Sequence, residues 1–310
     1  MIRVAYSTAA CAARGPRRRL LSIASASASA APPPRDACLV DFSRCGAGTS
    51  AAGAAACAAA LGVAVHARFL SASEEAALLA AAAAPLARRG FESGHWDGVI
   101  AGYREASLDL ARAPEALRAA ARRAHALFPR PAAPLLPQAH LLELERAGAI
   151  SAHVDSVKFS GGVVAGICLA SDAVMTLSVS LEAAAEAAGA TAGALTGDSS
   201  AGAGAGAGAS VRDPPAKDAP AGEVDILLPR GCLYVLSGEA RYLWAHAIVA
   251  GAPPFRGAPV TRDRRVSIIL RDELGTDSRA PRLAGSLAER VLREQRLLAE
   301  QRQGARVACA

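Results

Sequence analysis

The sequence is poor in aromatic residues and contains no closely spaced pair of cysteines. It has only two Trp, four Tyr and six Phe in 310 residues, and many of its alanines lie in runs without a helical or strand period. Such runs bury little large apolar surface, so we expect the ordered core to be well short of the full length. The seven cysteines are odd in number and form no CxxC motif, which argues against a disulfide framework and a cysteine-based zinc site.

Acidic residues are missing from residues 1–35. The six arginines of this segment equal the net charge of +6 of the whole chain, so the rest of the chain is neutral overall. The basic charge is therefore no evidence for a nucleic-acid-binding surface on the folded domain. An acid-free segment rich in Arg, Ser and Ala is typical of a transit peptide. We expect import into the mitochondrial matrix, with a plastid or an untargeted tail as alternatives.

The chain also lacks a long run of large aliphatic residues. The uncharged stretch 46–65 is mostly Ala and Gly, whereas a membrane-spanning helix is usually built from Leu, Ile, Val and Phe. We therefore predict no membrane span. Residues 36–64 are interpreted as a disordered linker that leads into the first ordered element.

Regular patterns begin after this stretch and change in type along the chain. Residues 69–90 predict a helix with a capping box at Ser71 and Glu74 and an end marked by Pro85 and Gly90, and residues 113–128 predict a second helix. Beyond residue 139, short aliphatic and β-branched runs alternate with turn residues, as in a sandwich or barrel. The predicted fold class is mainly β (α+β).

Two segments depart from this pattern. Residues 183–222 contain an Ala/Gly repeat followed by a proline-rich stretch, which predicts a disordered surface insertion. Residues 281–310 are charged and helix-prone, so we expect a solvated or loosely docked helical tail. The predicted folded domain accordingly covers residues 65–280.

One of only six histidines stands two residues before an aspartate. His153 and Asp155 project to the same side of an extended chain. A catalytic metal needs a third protein ligand, and a return strand of a barrel can bring His246 beside them. Two imidazoles and one carboxylate favour non-haem Fe(II), although a catalytic zinc with His2Asp ligands uses the same donors.

Two arginines lie in the strand pattern RRVSIILR. Arg265 and Arg271 share one face of this strand, and an arginine on an apolar strand face must be paired. A dicarboxylate co-substrate would supply bidentate contacts. The alternatives are an acidic partner within the protein or solvent at the strand end, and Asp272 makes both relevant for Arg271. Six residues of strand span about 20 Å, which is longer than a small dicarboxylate. Arg265 is the better co-substrate candidate, because Arg271 lies at the strand end next to Asp272.

The order His-x-Asp, distant His, Arg-x5-Arg resembles the Fe(II)- and 2-oxoglutarate-dependent dioxygenases of the AlkB family. The chain is most similar to the mitochondrial branch called AlkB homologue seven. The resemblance runs from about Phe69 to Asp272 and is strongest in HWDGVIAGYRE, HVDSVKF, GCLYVLSGEARY and RRVSIILR. It implies a double-stranded β-helix, or jelly roll, backed by N-terminal helices.

The resemblance also implies a role for individual residues. The implied iron ligands are His153, Asp155 and His246. The implied contacts to 2-oxoglutarate are Arg265, Arg271, Tyr234 and Leu142, with Arg265 on the distal carboxylate. Many AlkB enzymes carry an Asn-x-Tyr pair where this chain has Leu142 and Leu144, and this loss of two polar contacts agrees with the homologue-seven branch.

The implied reaction couples oxidation of a C–H or N-methyl group to conversion of 2-oxoglutarate and O2 into succinate and CO2. AlkB repair enzymes hold a flipped base with aromatic and basic groups, but the corresponding stretch 129–139, PRPAAPLLPQA, is short and apolar. This argues against duplex DNA and leaves a protein or RNA substrate. We expect a monomer. The alternatives are a catalytically idle interaction module and a zinc hydrolase on a cupin-like barrel.

Overall fold

A computed structural model describes residues 36–45, 51–95, 97–129, 133–180 and 222–274. The predicted transit peptide, the predicted insertion up to residue 221 and the predicted tail lie outside the described residues. The helices are α1 (Ala51–Leu61), α2 (Ala72–Ala87), α3 (Glu115–Ala126) and α4 (Gly238–Tyr242). The longer strands are β2 (Val63–His66), β3 (Ile100–Asp109), β4 (Gln138–His153), β5 (Val164–Leu169), β6 (Ala173–Val179), β7 (Glu223–Leu228), β8 (Leu233–Leu236), β9 (Trp244–Ile248) and β12 (Arg265–Arg271). The short strands are β1 (Val40–Asp41), β10 (Pro254–Phe255) and β11 (Ala258–Pro259).

Ten strands form one curled antiparallel sheet, and the predicted jelly roll is confirmed. The strand order is β1-β7-β6-β9-β4-β12-β5-β8-β2, with β3 paired to β4 off this path. The 16-residue strand β4 belongs to both halves of the sheet, because its first part pairs with β3 and β12 and its end pairs with β9. The sheet therefore curls around an interior to which both of its halves contribute side chains.

Alternate side chains of β12 face two different apolar clusters, one in this interior and one outside it. Val266, Ile268 and Leu270 pack in the cluster that contains the buried faces of α2 and α3. Ile269 packs in the interior cluster instead, and the alternating positions of Arg265 and Ser267 are also buried. This is the two-residue period expected of a strand that is covered on both faces.

The two predicted helices form where the sequence places them. Ser71 caps α2 by accepting a hydrogen bond from the Glu74 amide, and the Glu74 carboxylate bonds the Ser71 amide in return. Pro85 lies inside α2, which ends at Ala87, between the two predicted end markers Pro85 and Gly90. Helix α3 buries Leu117 and a row of alanines against the outer face of the sheet.

The structure differs from the prediction of a disordered linker over residues 36–64. Within the described part of this stretch, α1 and β1 contribute to the interior core, and Val40 is only 1% exposed. Strand β2 extends the sheet by pairing with β8, so that Val65 lies opposite Tyr234. Alanine-rich sequence carries little periodic signal, but small side chains pack closely once the sheet supplies a surface.

The β-type pattern beyond residue 139 does not give continuous strand between β4 and β5. Strand β5 begins only at Val164, and residues 154–163 form a connection without regular structure between β4 and β5. No helix among the described residues is long and apolar enough to cross a membrane.

Candidate metal centre

His153 and His246 come together because β4 and β9 pair antiparallel. His153 is the last residue of β4, and the strand register places it directly opposite His246. Asp155 lies two residues beyond the end of β4. One possible ligand atom from each of the three residues lies within 4.8 Å of the others. Nε2 of His153 is 3.3 Å and Nε2 of His246 is 3.7 Å from the same carboxylate oxygen, Oδ1 of Asp155.

A backbone hydrogen bond fixes the orientation of the His153 ring. Nδ1 of His153 lies 2.9 Å from the carbonyl oxygen of Ser151 and donates to it. Because a carbonyl can only accept, Nδ1 carries the proton of this bond, and Nε2 is the nitrogen turned toward Asp155 and His246. A ring oriented by a carbonyl through one nitrogen is the usual arrangement of a histidine that binds a metal through the other.

The two carboxylate oxygens of Asp155 have different partners. Oδ1 faces the histidines, whereas Oδ2 accepts hydrogen bonds from Nε of Arg271 at 2.8 Å and from its Nη2 at 2.6 Å. Arg271 thus has an acidic partner within the protein, one of the alternatives that the sequence left open. That partner is Asp155 and not the neighbouring Asp272. Oδ1 of Asp272 instead accepts a hydrogen bond from the Val163 amide.

The electrostatics favour the metal-binding forms of Asp155 and His246, whereas His153 favours a proton that a bound metal would displace. Burial opposes ionisation of Asp155, but the hydrogen bond to His153 and the charge of Arg271 hold the pKa of Asp155 well below its usual value. Burial, followed by repulsion from His153, lowers the pKa of His246 to about 3. Burial also opposes the charged form of His153, yet hydrogen bonds with Asp155 and the Ser151 carbonyl raise its pKa. Metal ligands must be a carboxylate and neutral imidazoles.

Arg265 is buried in the same interior without an acidic partner among the described residues. It is 1% exposed, and its Nε has no hydrogen-bond partner within that part of the chain. Its Nη1 lies 3.3 Å from Oγ of Ser267, and its Nη2 lies 3.5 Å from Sγ of Cys168. Ser267 in turn donates to the backbone carbonyl of Leu142, whose buried side chain belongs to the interior core.

Tyr234 is a buried tyrosine of strand β8 and is subject to the charges of both Arg265 and Asp155. Burial raises its pKa, and the charges of Arg265, Asp155 and Arg271 all act on the phenol group. The ring packs against Gly166, its cross-strand partner, and a Cβ at Gly166 would overlap the ring. Tyr234 is therefore the predicted co-substrate residue whose phenol is subject to the charges of both Arg265 and the Asp155–Arg271 pair.

Sequence reasoning missed two residues beside this site. Arg241 is 2% exposed and bonds the connection that carries Asp155. Cys168 is fully buried next to Arg265, and the hydrogen bond from Cys232 and then the charge of Arg265 lower its pKa to about 7. Arg241 could have been found from sequence, since it stands between the apolar runs YVL and YLWA, where an arginine needs partners.

The donor set fits a divalent metal, and the unpaired buried arginine fits an anionic co-substrate. Two imidazoles and one carboxylate with other positions left open are typical of non-haem Fe(II) oxygenases. A jelly roll with this donor set defines that class of protein.

Comparison with known proteins leads to the family. The chain is 34% identical over 204 residues to the mitochondrial alpha-ketoglutarate-dependent dioxygenase alkB homolog 7 of Bos taurus, covering 66% of this chain and 75% of the relative. It is 33% identical over 208 residues to the Mus musculus protein of the same name, covering 67% and 76%. No family model matches the chain. The chain belongs to the alkB homolog 7 family of alpha-ketoglutarate-dependent dioxygenases, which confirms the predicted resemblance and the oxidoreductase class.

Two solved structures resemble the chain at low sequence identity. A Pseudomonas putida prolyl-4-hydroxylase covers 70% of this chain and 96% of its own at 14% identity and a TM-score of 0.42. OsALKBH1 covers 68% of this chain and 97% of its own at 13% identity and a TM-score of 0.39.

Proposed function

We propose that His153, Asp155 and His246 hold Fe(II) in this dioxygenase and that Arg265 binds the distal carboxylate of 2-oxoglutarate. The observation that carries the proposal is the burial of Arg265 without an acidic partner in the described part of the chain. A buried guanidinium without a counter-charge is costly. A carboxylate ligand removes that cost through charge-assisted, bidentate hydrogen bonds.

The separation of Arg265 from Arg271 bears on which of them binds the co-substrate. The two residues stand at opposite ends of β12, about 20 Å apart along the strand, so both would contact one small dicarboxylate only if their long side chains converged. Arg271 is engaged with Asp155, so its contact to 2-oxoglutarate is proposed only at the metal end of the co-substrate. Tyr234 lies between these ends and is proposed to donate its hydroxyl to the co-substrate, while Leu142 lines the apolar wall.

The protein residues prepare the site and leave the oxidation to the bound groups. When bound, Fe(II) with 2-oxoglutarate and O2 supplies the oxidation of a substrate C–H or N-methyl group, with release of succinate and CO2. Asp155 offers Oδ1 to the metal because Arg271 holds Oδ2. The Ser151 carbonyl accepts a hydrogen bond from Nδ1 of His153, so Nε2 is the nitrogen that this ring offers to the metal. No general base is needed among these residues.

The proposed location is mitochondrial, in the matrix. Both curated relatives are named mitochondrial, and residues 1–35 have the composition of a transit peptide. The proposed substrate is a protein side chain or a structured RNA, because the short, mostly apolar stretch 129–139 has no aromatic residue and only one basic residue, Arg130, to grip a flipped base.

Uncoupled turnover of 2-oxoglutarate tests the proposal without a known substrate. We expect the protein, purified anaerobically and loaded with Fe(II), to form succinate, and we expect His153→Ala and Asp155→Ala to form none while remaining folded. Succinate formation by either variant at the wild-type rate would refute the ligand assignment. If metal analysis finds zinc and the protein does not turn over 2-oxoglutarate, the hydrolase alternative is favoured. Substrate trapping from matrix extract would follow a positive result.

A further inference from the structure

The guanidinium group of Arg241 is hydrogen-bonded to the connection between β4 and β5. Its Nη1 donates to the carbonyl of Asp155 at 2.8 Å, and its Nε donates to the carbonyl of Gly161 at 3.2 Å. Its Nη2 donates to the carbonyl of Ser156 at 3.1 Å and to Oγ of Ser160 at 3.0 Å. One planar guanidinium thus satisfies four acceptors of a single irregular segment.

The segment that Arg241 contacts includes Asp155, a proposed metal ligand whose backbone has no partner in strand pairing. Pairing between β4 and β9 ends at His153 and His246, so Asp155 lies beyond the last ladder position. Arg241 itself lies in α4, five residues before His246. A single side chain therefore ties the segment that carries Asp155 to the segment that carries His246.

Burial makes this contact costly unless it is fully satisfied. Arg241 is 2% exposed, and no acidic side chain in the described part of the chain lies within ion-pair distance of it. All its side-chain nitrogens are hydrogen-bonded instead. Several acceptors with fixed positions suit the rigid guanidinium fork, whereas an ammonium group offers three donors from one point.

We propose that Arg241 is a positioning residue of the metal centre, which holds the Asp155 backbone in place relative to His153 and His246. This role rests on the proposed function, since it is exerted through a proposed ligand. Arg241 differs from Arg271 in its point of action. Arg271 orients the carboxylate of Asp155, whereas Arg241 fixes the main chain from which that carboxylate projects.

Binding of Co(II) alone, under anaerobic conditions, tests the role without turnover. The titration follows the visible absorbance of Co(II) and uses the full chain. Arg241→Lys keeps the positive charge but loses the fork, and it should weaken Co(II) binding about tenfold to a hundredfold, the usual effect of disturbing an outer partner of a ligand. The absorbance spectrum should also change, because the altered placement of Asp155 changes the ligand field.

Arg262 provides a matched control. It is 1% exposed and, like Arg241, donates to three backbone carbonyls, those of Glu145, Arg146 and Gly148 in β4. Arg262→Lys should therefore lower the melting temperature about as much as Arg241→Lys does, yet leave Co(II) affinity unchanged. Ser160→Ala removes one Arg241 acceptor without removing the arginine, and it should weaken Co(II) binding by a smaller factor.

The outcomes separate this role from the proposed metal site itself. Wild-type Co(II) affinity in both Arg241→Lys and Ser160→Ala would refute the role of Arg241, whatever their melting temperatures. An equal loss of affinity in Arg262→Lys would refute it too, since the effect would then follow general destabilisation. If Arg241→Lys does not fold, Ser160→Ala against Arg262→Lys decides the question. A wild-type protein that binds no Co(II) would refute the proposed metal site and this role together.

Discussion

Replacement of Arg265 by lysine separates a co-substrate anchor from an arginine that only supports the core. Lysine keeps the positive charge at this buried position but cannot match a carboxylate at two points. No acidic partner exists for Arg265 among the described residues, and its contacts to Ser267 and Cys168 are long, at 3.3 and 3.5 Å. The substitution therefore removes little that holds the folded chain together.

The expected effect on co-substrate binding is large by comparison. Losing a charge-assisted bidentate contact costs about 1.5–3 kcal/mol. Because 1.4 kcal/mol corresponds to a factor of ten, the dissociation constant for 2-oxoglutarate should rise about tenfold to a hundredfold. The free energy of unfolding should fall by no more than about 1.5 kcal/mol, the net worth of one hydrogen bond.

Calorimetric titration of the Mn(II)-loaded protein with 2-oxoglutarate measures the first quantity, and thermal unfolding measures the second. Arg264→Lys is the control, because Arg264 is the neighbouring residue but is 57% exposed and pairs with Glu143. Its affinity for 2-oxoglutarate should not change. An Arg265→Lys protein with wild-type affinity would refute the co-substrate role. A large fall in melting temperature with unchanged affinity would assign Arg265 to the core instead.

Two further predictions concern the interior and the insertion. Gly166→Ala should weaken 2-oxoglutarate binding because the new Cβ would displace the Tyr234 ring, whereas Gly94→Ala, which has open space around its Cα, should not. Unchanged affinity in Gly166→Ala despite a lower melting temperature would argue against a Tyr234 contact. Replacing residues 183–222 with a short Gly/Ser linker should leave melting temperature and turnover nearly unchanged, since such sequence buries little apolar surface and long loops close cheaply. A fall of many degrees would mean that this segment packs on the domain.

The features that sequence alone determined are those set by neighbours within a few residues. The capping box of Ser71 and Glu74 needs only one helical turn, and it is present at the start of α2. The alternation of β12 needs only the two-residue period of a strand, so the buried positions of Arg265 and Ser267 followed from the pattern. The closeness of His153 and Asp155 is local in the same sense, although Asp155 proved to lie just beyond the strand.

Tertiary structure decided which of these residues have a partner. Arg271 was predicted to face the co-substrate or an acidic neighbour, but its partner Asp155 is 116 residues away and is brought there by pairing of β12 with β4 and β5. The bonds of Arg241 likewise depend on where α4 meets the connection after β4. The described part of residues 36–64 joined the core through pairing of β1 with β7 and of β2 with β8. Strand register and packing are cooperative properties of the whole sheet, so no local pattern encodes these contacts.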